Sequence, residues 1–176
     1  MKKITLCLLM LLTASFVMAQ YKPTDQGSTL KFTIKNFGFD VPGSFSGFKG
    51  NINFDPQNLQ AASFDVSIDA ATVNTDNSTR DQHLKGEDYF DIKNYPFIRL
   101  LAGKVVAAKN GYLLTGVLTI KGKSKEITFP FTTSPSADGL VFKGSFKINR
   151  KDFGVGGTST IANELEVNLN VLAKKS

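Results

Sequence analysis

Leu165-Glu166-Val167-Asn168-Leu169-Asn170-Val171 alternates apolar and polar residues without a break. Successive side chains of a β-strand point to opposite faces, so this run puts its aliphatic residues on one side and its polar groups on the other. That is the signature of an antiparallel strand with one buried face. The same period holds in Leu30-Lys31-Phe32-Thr33-Ile34-Lys35 and in Phe64-Asp65-Val66-Ser67-Ile68-Asp69. Strand-like stretches near 44–54, 97–107, 111–121, 124–131 and 140–149 bring the total to about eight. The joints carry turn residues, as in Asp55-Pro56-Gln57-Asn58, Lys109-Asn110-Gly111, Lys121-Gly122-Lys123 and Ser136-Ala137-Asp138-Gly139.

One stretch interrupts the period. From Asn74 to Phe90 the β-branched residues give way to Thr75-Asp76-Asn77-Ser78-Thr79-Arg80-Asp81-Gln82-His83-Leu84, with capping side chains at Asn74 to Asp76 and Gly86 as a stop. A short helical insert is predicted there. A second irregularity is a phase slip at Phe45-Ser46-Gly47-Phe48, where a bulge at Gly47 would let both phenylalanines face inward. Eight antiparallel strands either stack as a sandwich or close as a barrel, and closure removes exposed edges and leaves room for one small ligand. The predicted class is therefore all-β, an eight-stranded antiparallel barrel with a short helical insert.

Three strands share a further pattern: Phe48-x-Gly50-x-Ile52, Leu114-x-Gly116-x-Leu118 and Phe142-x-Gly144-x-Phe146. Each glycine shares a face with its bulky flanks, the side expected to be buried. Glycine inside a strand is destabilising by roughly 0.5–1 kcal/mol relative to alanine, which implies either close packing or a ligand near the backbone. The expectation is that these glycines floor a hollow barrel. The alternative is a filled barrel in which small and large residues alternate to fit its taper. Once Phe16 is set aside with the leader described next, 15 − 1 = 14 phenylalanines remain and tryptophan is absent, a wall suited to hydrocarbon rather than to sugar or nucleotide.

The chain opens with Lys2 and Lys3, an apolar run from Ile4 to Val17, and Val17-Met18-Ala19 before Gln20. This is the layout of a secretory signal peptide, residues 1–19, followed by one domain over 20–176, with a periplasmic or secreted destination. Cys7 lies within the leader, so the exported chain would hold no thiol, no disulfide and no thiolate metal site. Loss of the two leader lysines leaves 21 − 2 = 19 basic residues against 15 acidic, a net charge of about +4. The lysines are scattered and no arginine stripe interleaves with aromatics, which argues against a nucleic-acid partner.

Chemistry has few candidates. A zinc site needs three or four suitable ligands, and His83 is the sole histidine. The same scarcity removes a serine hydrolase, and no Gly-x-Ser-x-Gly elbow is present. Carboxylates such as Asp65, Asp69, Glu164 and Glu166 alternate with apolar residues and belong on the solvated face. No cofactor and no catalytic step are expected. His83 sits in the insert with Arg80, Asp81 and Lys85, where a cap over the barrel mouth could offer donors to a head group or the imidazole could bond a nearby carbonyl. Arg150, which precedes Asp152, poses a like choice between a structural salt bridge closing the barrel end and anchoring a phosphate or carbonyl head group, and the structural role is favoured.

The order Gly43-x-Phe45-x-x-Phe48-x-Gly50, Phe54-Asp55-Pro56, Asp81-Gln82-His83-Leu84-Lys85, Asp88-Tyr89-Phe90-Asp91, Tyr95-Pro96, Gly116-Val117-Leu118-Thr119-Ile120-Lys121-Gly122 and Asn149-Arg150-Lys151-Asp152-Phe153-Gly154 resembles the YceI-like family along essentially the whole exported chain. The resemblance implies an extended, lipocalin-like barrel, exported to the periplasm, whose apolar pore holds an isoprenoid such as a polyprenyl phosphate or quinone, or in some members a fatty amide. Two positions depart from it: Asn36 stands where many members resembling this chain have histidine, and Leu100 where an aromatic is usual.

The residues expected to bind the lipid are Phe32, Phe48, Gly50, Ile52, Phe64, Val66, His83, Leu114, Gly116, Leu118, Phe142, Gly144, Phe146 and Leu169. The expected role is carriage or sequestration of a long-chain lipid. A filled barrel with a structural or protein-binding role is the alternative, and a small outer-membrane barrel a remote one. Leu113 and Val117 put apolar residues on the second face of their strand, which a homodimer or the insert could cover.

Overall fold

The computed structural model describes residues 20–158 and 160–176. Residues 1–19, expected to form a signal peptide, lie outside the described residues. Among the described residues, strands β1 (Gln20–Pro23), β2 (Thr29–Asn36), β3 (Phe39–Asn53), β4 (Ser63–Asn74), β5 (Phe97–Ala108), β6 (Gly111–Ile120), β7 (Lys123–Ser136), β8 (Gly139–Asn149) and β9 (Ile161–Lys175) form one antiparallel sheet, with a single α-helix, α1 (Ser78–Lys85), between β4 and β5. The sheet runs β3-β2-β9-β8-β7-β6-β5-β4 and closes because β4 also pairs with β3. Nine strands fill eight positions. β1 and β2 occupy one slot between the same neighbours: Tyr21 opposes Ile52 of β3 and Lys175 of β9, while Leu30 opposes Phe45 and Leu169 on those two strands. The fold is the closed, eight-stranded antiparallel barrel that the alternation predicts.

The phase slip resolves as a bulge. The β3–β4 register shifts on both sides of Ser46, Gly47 takes φ 76°, and both Phe45 and Phe48 reach the interior. The bulge is pinned from outside the two strands, since Asp25 Oδ1 accepts from the Gly47 and Phe48 amides at 2.7 and 3.0 Å. Two amides freed from the ladder thereby keep partners.

The two ends of the barrel differ. At one end Phe54, Phe64, Phe131 and Phe142 meet edge-on or tilted with centroids 5.6–6.4 Å apart, and Tyr112 closes on Phe54 at 5.0 Å. Phe54 is 1% exposed. Edge-to-face and tilted aromatic contacts pack this end.

At the other end the ladder itself is incomplete. β4 pairs with β5 from Phe64 to Asp69, and β7 pairs with β8 only from Phe131 to Ser136, so the remaining halves of both seams are open. Pro130, which has no N–H to donate, stands where the β7–β8 ladder stops. Each open seam is covered by a segment that is not strand. Helix α1 and the turns after it cover the first; the 3-10 turn Arg150–Phe153 covers the second, with Phe153 1% exposed and packed with Val155, Leu118 and Ile120.

Helix α1 starts just after the capping candidates Asn74 to Asp76, with Asn77 as its cap. Asn77 has extended backbone, and its side chain accepts from the Arg80 amide at 2.9 Å, an N-cap bond. Asp81 holds the approach to the helix by accepting from the Thr75 amide at 2.9 Å and from its hydroxyl at 2.5 Å.

Candidate functional site

Beneath α1 lies a chamber of about 530 Å³, within the ~300–1,000 Å³ typical of sites that enclose a small ligand. Its wall is aliphatic and aromatic. Register explains why: Leu165 of β9 lies between Ile34 of β2 and Ile148 of β8, and the three side chains form one inward row across adjacent strands. Phe32 and Val167 form the next such row, and Phe45 closes on Phe32 and on Phe90 with centroids 5.6 and 5.3 Å apart. A second space of about 120 Å³ continues toward the filled end. Leu30, Ile68, Ile98, Leu118 and Phe146 line both, so they form a waist between them.

The expected binding residues sort along this axis. Phe32 lines the large chamber and His83 its rim; Leu118 and Phe146 stand at the waist; Phe48, Ile52, Phe64, Val66, Leu114, Phe142 and Leu169 line the smaller space. Leu100, where an aromatic was expected, also lines the smaller space.

Gly50, Gly116 and Gly144 line neither space, which corrects their placement as a floor. Their role is close packing. A Cβ on Gly116 would strike Ala102 and the Leu101 carbonyl, and one on Gly50, at φ 120°, would strike the Asp65 carbonyl. At Gly144 a Cβ would come 3.1 Å from the Pro130 oxygen and 3.4 Å from the Phe129 ring, which stacks on Phe146 at 4.4 Å. The glycines therefore let strands and rings approach one another.

The polar groups of the large chamber gather at the helix side. Asn77, Thr79, Arg80 and His83 come from α1 and its cap, joined by Thr75 and Asn36. Arg80 donates from Nε to Thr75 Oγ1 at 2.7 Å and from one Nη to the Thr75 carbonyl at 2.6 Å. His83 is exposed, and among the described residues its imidazole makes no hydrogen bond to a carbonyl, so the bonded-histidine alternative is not what forms. Asn36 accepts from the Thr160 hydroxyl at 2.8 Å.

Arg150 is 5% exposed and donates to the carbonyls of Val155, Gly156, Ala162 and Ile161 at 2.8–3.0 Å. It binds the chain leaving the 3-10 turn into a tight loop, a structural role carried by backbone carbonyls where a salt bridge was expected. Among the described residues no group of His, Cys, Asp and Glu is arranged to hold a metal ion. Shifted titrations lie outside the chamber: the bidentate Arg99 hydrogen bond lowers the Asp65 carboxyl below its usual range, and Glu164 raises the Lys147 ammonium.

Several chamber residues escaped the sequence reading, among them Ile34, Val41, Ile148, Leu165 and Val155. The first, third and fourth carried the signal of alternation; what was missing was which half of each strand would be hollow.

Residues 21–173 match the YceI-like domain. A UPF0312 protein of Yersinia enterocolitica is 31% identical over 128 residues, covering 71% of this chain and 67% of that protein. UPF0312 proteins of Yersinia pestis are 32% identical over 123 residues, 68% of this chain, so the chain spans about two thirds of the length of these relatives. Among solved structures, BcnA of Burkholderia cenocepacia superposes with TM-score 0.79 at 27% identity, over 85% of this chain and 98% of that one. The YCEI protein of Campylobacter jejuni gives 0.68 at 31% identity, over 78% and 86%. A polyisoprenoid binding domain from Saccharophagus degradans gives 0.67 at 13% identity, over 91% and 100%, a likeness of fold.

Proposed function

Because the chain belongs to the YceI-like family, we propose that it is a soluble periplasmic protein that binds, and carries or sequesters, a long-chain isoprenoid lipid of the polyprenyl phosphate, quinone or fatty amide kind. The observation that carries this reading is the apolar chamber of about 530 Å³ continuing through a waist into a second apolar space. A tail threaded along that axis would meet hydrocarbon on all sides, with its head at the α1 rim. At roughly 25 cal/mol per Å², several hundred Å² of buried tail supply on the order of 10 kcal/mol before ordering costs. The barrel shared with a protein described as a polyisoprenoid binding domain is compatible with this. The reading needs no cofactor and no covalent step.

The outer face disfavours the membrane-barrel alternative. Lys143, Lys147, Glu164, Glu166, Asp65 and Arg99 are exposed on successive strands, where a lipid-facing band would have to be apolar. The interior carries the apolar residues and the exterior the charges.

Native mass spectrometry and organic extraction of the protein isolated from its own cells without detergent test the proposal. The expected result is a discrete added mass that extracts as a long-chain lipid, from the periplasmic fraction. A folded protein that carries none, and takes up none when incubated with an isoprenoid alcohol, would overturn it.

A further inference from the structure

The ionisable side chains that line the large chamber are unevenly chosen. Arg80, Arg150, His83 and Tyr89 are there, and among the described residues no aspartate or glutamate is. Arg150 is spent on backbone carbonyls of its own loop and of the start of β9. Arg80 differs. Its two bonds to Thr75 use one edge of the guanidinium, while a guanidinium carries five N–H donors. Thr75 is itself fixed, because its hydroxyl gives its proton to Asp81 and so presents oxygen to Arg80. Asp81, the acidic residue that could neutralise Arg80, is thereby held on the far side of Thr75 and lines no part of the chamber. His83 lies one turn along the same helix and reaches the same rim.

From this arrangement we infer that Arg80, with His83 beside it, is an anion-recognition site at the chamber rim, and that the bound lipid carries an anionic head, a phosphate or a carboxylate, rather than a neutral alcohol, quinone or amide. The inference rests on the lipid-binding reading and narrows it. A clamped guanidinium at the edge of an apolar cavity loses little freedom on binding an oxyanion, and charge-assisted bonds from Arg are strong in such surroundings. The apolar wall supplies affinity that any tail would share. The rim discriminates between heads.

The test is competition against a fluorescent apolar probe, in phosphate-free buffer, by geranylgeranyl phosphate, geranylgeraniol, geranylgeranoic acid and inorganic phosphate. The full exported chain is compared with its Arg80→Gln, Arg80→Lys and His83→Gln forms. Roughly tenfold to hundredfold tighter binding of an anionic lipid than of geranylgeraniol is expected, the range of one charge-assisted bond. Arg80→Gln should abolish that preference, with circular dichroism and the urea midpoint showing separately that the variant is folded. Arg80→Lys should keep part of the preference, and His83→Gln should reduce it less than Arg80→Gln. The phosphate and the acid separate the two head chemistries.

Equal binding of alcohol and anions overturns the inference while leaving the carrier reading intact. A preference untouched by Arg80→Gln overturns it too, as does inorganic phosphate competing as well as geranylgeranyl phosphate, which would make the rim a site for the free ion. If no lipid competes at all, the carrier reading itself has failed.

Discussion

The two ends of this barrel are made from the same strands with the same alternation, yet one is solid and the other hollow. At the solid end the β3–β4 and β7–β8 seams are paired and the inward positions are aromatic, so rings from β4, β7 and β8 meet that of Phe54, just past the end of β3, across the axis. At the hollow end aromatic rings such as Phe32, Phe45 and Phe90 border the space, but one inward row is the aliphatic Ile34, Leu165 and Ile148, and two seams are open. Aliphatic side chains on a wall held apart by inserted segments do not reach one another. The cavity thus arises from interrupted pairing and short side chains, and not from glycine.

The largest effect that would break this contrast belongs to Phe54. It touches Tyr112, Phe131 and Phe142 and is 1% exposed. Phe54→Ala should lower stability by about 3–5 kcal/mol, from lost transfer energy and the cavity left behind. Urea unfolding followed by circular dichroism checks it. A loss below 1 kcal/mol would mean that the aromatic end relaxes freely and that the two ends are less different than their packing implies.

Next comes Gly116, the point at which sequence reasoning and structure part. If close packing is its role, Gly116→Ala forces Ala102 and the Leu101 carbonyl back and should cost about 1–3 kcal/mol by overpacking, with lipid affinity little changed. A variant of normal stability that loses its lipid would restore the glycine to the binding wall.

The barrel was legible because alternation and turn chemistry are local signals. Leu165 to Val171 declares a half-buried strand whatever its neighbours do, and the slip at Gly47 announces its own bulge. The helix and its stop at Gly86 were legible for the same reason, but its cap is Asn77 and not one of Asn74 to Asp76, since several adjacent polar residues can each cap and only the packed turn selects one. What an inward residue faces is not local. Phe64 and Phe32 stand in similar alternating runs, but one meets the ring of Phe131 and the other borders the large chamber. That outcome depends on where β4–β5 and β7–β8 pairing stops, which is decided by Pro130, by the insert and by the loop that Arg150 ties. Gly116 misled for a related reason. An inward small residue signals something close by, and only the register, Ala102 opposite on β5, says that the neighbour is protein.

The smallest expected effect on stability is also the one that most sharpens the contrast. Leu165 lies in the middle of the aliphatic row, half-buried and facing open space. A large ring placed there would fill a void without displacing a neighbour, whereas in a packed core added volume forces strain. Leu165→Trp should therefore change stability by less than about 1 kcal/mol and still exclude a lipid tail from the chamber, measured as loss of the copurifying lipid with the urea midpoint held. The opposite pairing of results, lipid retained and stability sharply lowered, would mean that the aliphatic end closes up in solution as the aromatic end does. The barrel would then be solid throughout, and the rim at Arg80 would have nothing beneath it to guard.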